Sequence, residues 1–153
     1  MPSEKELEQL ARDLINGISP WFKGNSVNVL QAFIREEGRC VYCGKELWKV
    51  YGIASCGDHL LPRSMYPDLE QNPDNLVPAC AECNSIKGAY DPSDKKGMER
   101  AITEEVRLEF IRKCKAEIDR KTQENGWRKE FESAKVLFWE AVEKYRKRKK
   151  KSD

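Results

Sequence analysis

The chain has a single histidine, His59, and Asp58 stands directly before it. Two Cys-x-x-Cys pairs flank them, Cys40-Val41-Tyr42-Cys43 and Cys80-Ala81-Glu82-Cys83. Asn84 follows the second pair at once, and Asn75 lies nine residues before it. One imidazole, one carboxylate, two amides and four thiols therefore fall within 45 residues. These are proton carriers and metal donors, not the stuff of a packing core. Two residues between cysteines let both sulfurs of a tight turn face one ion. Four thiolates complete a tetrahedral zinc shell with no open position, which marks a structural site. An iron–sulfur cluster is the other use of four such ligands. A redox role is disfavoured because neither pair sits in a βαβ pattern. Cys56 and Cys114 have no partner at a suitable spacing and read as buried or bystander thiols.

The residues around these groups are as ordered as the groups themselves. Asp58-His59 leads into Leu60-Leu61-Pro62-Arg63-Ser64. Asp74-Asn75-Leu76-Val77-Pro78-Ala79 leads into Cys80, and Cys83-Asn84 into Ser85-Ile86-Lys87-Gly88. Over residues 38–92 the string resembles the HNH endonuclease family, the zinc-stapled members of the ββα-metal nucleases. Many relatives carry a histidine where this chain has Asn84, an accepted variant that bears on metal affinity or preference.

The resemblance implies metal-dependent hydrolysis of DNA phosphodiester bonds, leaving 5′-phosphate and 3′-hydroxyl ends. The residue chemistry suits that reaction. An imidazole titrates near neutrality, so His59 suits the removal of a proton from water. Asp58 and Asn84 offer hard oxygen donors for Mg2+ or Mn2+, an ion that would neutralise the departing 3′ oxygen. It is distinct from the structural Zn2+ on Cys40, Cys43, Cys80 and Cys83. The resemblance implies that Asn75 braces the returning loop and orients His59. Arg63 and Lys87 flank the constellation and are candidate phosphate contacts, which position a duplex without reading its sequence. The rival reading is a non-catalytic zinc module that binds nucleic acid or a partner protein. It has no use for Asp58, His59 and Asn84 at these spacings.

The elements that must position these groups are legible on either side. Ser3 and Glu6 form a capping-box pattern at the start of a helix, and Leu7, Leu10, Leu14 and Ile18 share one of its faces. Gly17 or Pro20 ends it. A second helix starts at Asn25 or Ser26, turns Val29, Leu30, Phe33 and Ile34 inward, and stops with Gly38 at its C′ position. Residues 39–90 are rich in Cys, Gly, Pro and Asn. They predict short strands around stretches such as Trp48–Ala54 and Leu76–Ala79, then a helix from Ala81 to Lys87 stopped by Gly88. Asp91-Pro92-Ser93-Asp94 reads as a turn and linker. From Thr103 a helix carries Val106, Phe110, Ile111, Cys114 and Ile118 on one face, and Asn125-Gly126 breaks it. A last helix carries Phe131, Val136, Leu137, Trp139, Ala141, Val142 and Tyr145, with Trp139 and Tyr145 as packing residues, before fraying into a basic run.

The expected fold class is α+β. A small ββα-metal core over 38–92 is stapled by the four cysteines, with N-terminal helices over 1–37 and C-terminal helices with a basic tail over 93–153. A core that small needs a metal to supplement burial. No apolar run is long enough to span a bilayer, and the N-terminus lacks an apolar signal core. The expectation is a cytoplasmic protein with reduced thiols and no membrane partner.

Net charge is only +2 but is unevenly placed. Residues 1–99 hold 11 basic against 15 acidic side chains, and residues 100–153 hold 17 against 11. Seven of the eight residues from Lys144 to Lys151 are basic. This run, with Lys147, Arg148, Lys149 and Lys150 at its centre, is a candidate contact for the phosphates of double-stranded DNA. The charged C-terminal helices would serve equally as a docking surface for a targeting or defence-system protein.

Overall fold

The computed structural model describes residues 3–47, 57–94 and 101–152. The stretch Trp48–Ala54 and Cys56 lie outside them. The chain divides into two compact units, Met1–Ile118 and Asp119–Asp153.

In the first unit, α1 (Glu4–Asn16) is opened by the capping box, with Ser3 and Glu6 side chains each accepting the other's backbone N–H. Ala11 is the residue it buries. Leu10, Leu14 and Ile18 stay exposed, so their shared face is not a core face. In α2 (Val27–Arg35), Ser26 caps the start by accepting from the Val29 amide at 3.1 Å. Leu30 and Phe33 are buried, while Val29 and Ile34 are only partly so.

The end of α2 corrects the expected stop by one residue. Glu37, not Gly38, takes the left-handed position with φ 56°, and Gly38 follows at φ 68°. The Gly38 amide reaches back to Phe33 O at 2.8 Å and the Glu37 amide to Ile34 O at 3.1 Å. That pair of bonds is a Schellman closure. Gly38 then turns the chain so that its own carbonyl accepts from the Leu47 amide at 2.9 Å.

The centre is a two-stranded antiparallel sheet and a helix. β1 (Gly57–His59) pairs with β2 (Leu76–Pro78) in the register Gly57 to Pro78, Asp58 to Val77 and His59 to Leu76. α3 (Ala81–Lys87) follows, and Gly88 ends it at φ 59°. Asp91 accepts from the Ser93 amide at 2.9 Å, forming the turn expected there. α4 (Glu104–Asn125) then buries Phe110, Cys114 and Ile118. These join Phe33, Leu47, Leu60, Leu61, Tyr66, Val77 and Ile86 in one core, so helices from both sides of the ββα element complete its interior.

α4 runs on into the second unit, Gly126 breaks it at φ 61°, and α5 (Trp127–Ser152) follows. Two expectations fail here. α5 does not fray at the basic run but continues through it to Ser152. Val136, Leu137, Trp139 and Tyr145 are each more than half exposed, so the aromatics are not packing residues. The cause is local: apolar side chains at four consecutive positions, 136–139, circle the helix axis instead of forming a stripe. Among the described residues no helix is long and apolar enough to cross a membrane.

Glu36 is an electrostatic keystone of the first unit. Its carboxylate accepts from Arg35 at 3.0 Å and from Arg107 of α4. Arg35 also donates to Pro73 O at 3.1 Å and Leu76 O at 2.7 Å, tying α2 to the start of β2. Burial, and then the neighbouring Arg107, push the Arg35 guanidinium below its ordinary range. Glu36→Gln leaves two part-buried cations facing each other with no anion between them. It is expected to destabilise the protein by about 3 kcal/mol, read as a lowered midpoint in thermal unfolding. An unchanged midpoint would remove Glu36 from this role.

Candidate metal centre and active site

The first knuckle is built by backbone bonds. Cys40 donates its amide to Lys45 O at 2.9 Å, and Gly44 closes back on Cys40 O at 2.8 Å with φ 78°. The Val41 amide donates to Pro78 O at 3.0 Å, which fastens this turn to β2. The second knuckle is the start of α3. Cys80 is its N-cap, and its sulfur accepts from the Cys83 amide at 3.4 Å. The result brings all four sulfurs within 4.8 Å of one another.

Cys43 and Cys80 sulfurs lie 3.8 Å apart. The edge of a tetrahedron with metal–sulfur bonds of about 2.3 Å is about 3.8 Å. The four cysteines are thus placed to hold a metal ion, and both geometry and donor type fit zinc. Their protons are unequally held. A hydrogen bond from Cys83 brings the Cys40 thiol down to about 5, and the same bond drives Cys83 up. Burial raises Cys43. A metal bound here would displace the thiol protons.

β1 presents Asp58 and His59 on alternate faces. Asp58 is buried and His59 is half-buried. His59 Nε2 lies 3.0 Å from Glu70 O. A carbonyl oxygen only accepts, so Nε2 is the donor, and in the neutral ring Nδ1 is the nitrogen with the lone pair. The 60–75 connection that supplies this carbonyl is clasped by Asn75, which is fully buried. Its Oδ1 accepts from the Leu61 amide at 2.8 Å, and its Nδ2 donates to Leu61 O at 3.1 Å and Leu69 O at 3.4 Å. Asn75 therefore touches the loop and not the imidazole, and it bears on His59 through the backbone at 69–70.

Asp58 carries more partners than spacing alone suggests. Tyr42 Oη donates to its Oδ2 at 2.6 Å. Burial first, and the Asp58 charge second, hold the Tyr42 phenol well above its ordinary range. Lys87 Nζ lies 3.1 Å from the same oxygen and donates to His59 O at 2.8 Å. Lys87 is 1% exposed, so its ammonium is paired with Asp58 and not carried on the outer surface. It stands at the end of α3, and its ammonium reaches across to β1. Arg63 does stay exposed, paired with Glu70 at 3.2 Å.

Asp58, His59, Arg63, Asn84 and Lys87 line one open cleft of about 550 Å³. The Asn84 side chain is half-buried there and makes no hydrogen bond among the described residues, so its amide oxygen is available as a donor. A carboxylate and an amide oxygen on one cleft fit a hard divalent cation. Lys147, Arg148, Lys149 and Lys150 are exposed on α5 in the other unit. Sequence reasoning missed Tyr42 and Lys87 as partners of Asp58. The available signal was the i, i+3 spacing of Asn84 and Lys87, which puts both on one side of α3.

Residues 40–89 match the HNH endonuclease family. That segment, with its ββα element and four-cysteine cluster, is an HNH endonuclease domain. The chain is also similar to the Septu protein PtuB of Bacillus thuringiensis, 36% identical over 78 residues. The match covers 51% of this chain and 29% of that protein. No solved structure matches the chain.

The cluster geometry generates a direct expectation. Metal analysis of purified protein should find about one zinc per chain, and Cys40→Ser should lose it together with the cooperative unfolding transition. A zinc-free protein that unfolds at the same temperature as the metal-loaded one would refute a structural site.

Proposed function

We propose that the HNH domain is a divalent-metal-dependent endonuclease that hydrolyses DNA phosphodiester bonds. The observation that carries this reading is the 3.0 Å contact between His59 Nε2 and Glu70 O. Nε2 is committed to Glu70 O, so Nδ1 is the nitrogen that remains to take a proton from water beside a cleft that Asp58 and Asn84 also line. His59 acts as the general base. Asp58 and Asn84 hold Mg2+ or Mn2+, which when bound neutralises charge on the scissile phosphate and the departing oxygen. Asn75 positions His59 by fixing the loop that carries the Glu70 carbonyl. Arg63, exposed at the rim, offers a phosphate contact. The zinc is structural and takes no part in the reaction.

The basic end of α5 supplies a second, sequence-independent hold on duplex DNA. Ten consecutive helical positions, 143–152, are all exposed there, and Lys147, Arg148, Lys149 and Lys150 lie among them. A targeting or defence-system protein docked on the charged C-terminal helices is the partner this reading allows. Reduced thiolates suit the cytoplasm.

Purified protein incubated with plasmid and Mg2+ or Mn2+ should cut it, and His59→Ala should lower the rate by about 100-fold or more, on the order expected for a general base. Equal cutting by both proteins would sink the assignment. Binding without cutting by the wild type would favour a non-catalytic zinc module. Removing residues 144–153 should weaken DNA binding and flatten its dependence on salt, because fewer counterions are released. Unchanged affinity and slope would leave the basic run as a solvated helix end.

A further inference from the structure

Tyr42 and Lys87 belong to no part of the metal set or proton chemistry described above, yet both converge on one carboxylate oxygen. Tyr42 Oη lies 2.6 Å from Asp58 Oδ2 and Lys87 Nζ lies 3.1 Å from it. Oδ1 keeps only a long 3.5 Å contact with Lys87 among the described residues. Both partners are buried, Tyr42 4% and Lys87 1% exposed, so neither is free to swing away. Tyr42 sits inside the first knuckle, between Val41 and Cys43, and Lys87 sits on α3, one turn after Asn84. Lys87 also donates to His59 O at 2.8 Å, so one ammonium joins the helix that carries Asn84 to the strand that carries Asp58 and His59.

We infer that Tyr42 and Lys87 are positioning residues that occupy Asp58 Oδ2 and leave Oδ1 as the single oxygen offered to the divalent ion. This rests on the reading of Asp58 as a ligand of that ion. Partners of a ligating carboxylate fix its orientation, and losing one typically costs about 10–100-fold in metal affinity or activity. Simple electrostatics predicts the opposite at Lys87. Removing a cation 3.1 Å from the ligand should tighten a divalent ion, whereas loss of positioning should loosen it. The two accounts therefore differ in sign.

The test uses the full chain with its zinc in place and follows Mn2+ binding by the electron paramagnetic resonance of the free ion, without DNA. Tyr42→Phe keeps the ring and removes only the hydroxyl. It should weaken Mn2+ binding about 10-fold and raise the half-saturating Mn2+ for cleavage by the same factor. Zinc content and the rate at saturating Mn2+ should stay near wild type. Lys87→Met should weaken Mn2+ binding as well. Wild-type affinity in Tyr42→Phe would overturn the inference, and tighter binding in Lys87→Met would overturn the part assigned to Lys87. If Lys87→Met fails to fold, Tyr42→Phe decides alone. Asp58→Asn separates the two readings: if it binds Mn2+ as the wild type does, the assignment of Asp58 as ligand fails, and the positioning inference with it. If Asp58→Asn loses the ion and Tyr42→Phe does not, only the positioning inference fails.

Discussion

The meeting of four sulfurs is the constraint on which the rest depends. Cys43 and Cys80 are separated by 36 residues, and the segment between them contains both short strands and the connection that carries Glu70. Two three-residue strands give little stability by themselves. Their register is fixed from outside, because the first knuckle donates to Pro78 O and the second knuckle begins α3 two residues later. A metal on the four sulfurs would close both ends of this segment at once. In small zinc peptides that interaction is on the order of 10 kcal/mol, comparable with the whole stability of a typical domain. A ββα element this short can therefore devote buried positions to Asp58, Asn75 and Lys87, which a purely hydrophobic core of the same size could not tolerate.

Those buried polar groups are each satisfied, and the pattern explains how the site holds its shape. Asn75 exchanges hydrogen bonds with Leu61 on both its oxygen and its nitrogen. Asp58 faces Tyr42 and Lys87, and Lys87 also reaches a backbone carbonyl. A buried polar group left without a partner is costly, so each of these contacts selects one arrangement over its neighbours. Cys114 from α4 is fully buried in the same core as Tyr42, and burial pushes its thiol up to about 12. A helix far along the chain thus reaches the interior behind the site, which gives the flank a structural purpose that no motif announces.

Much of this was legible in the sequence because it rests on local rules. The capping box at Ser3 and Glu6, the bounds of α3, the turn at Asp91 and the break at Gly126 all follow from the conformations those residues favour. The inward face of α4 follows from its spacing, with Phe110, Cys114 and Ile118 buried as their period implies. The failures have a common physical origin. Leu10, Leu14, Trp139 and Tyr145 are apolar at helical spacing, yet helical spacing shows only that a face exists and not that anything covers it. At Glu37 the closure geometry of α2 required a left-handed residue one position before the glycine, and the following turn used Gly38 as well.

Lys87 is the instructive miss in the site. A lysine beside a candidate phosphate site invites the surface reading, since its charge favours water. Its position on α3 decides otherwise: Ile86 and Lys87 are both buried, so the last turn of the helix faces inward on two adjacent residues. A charge there must be paired, and Asp58 supplies a carboxylate within reach. Periodicity identifies the inward face of a seven-residue helix poorly, because two turns supply too few positions to define it. The pairing becomes readable only when the register of β1 against β2 places Asp58 opposite Val77, on the side where α3 packs. What spacing conveyed about Asp58 and Asn84 was their chemical kind, whereas the partner that constrains Asp58 is set by how strand and helix meet.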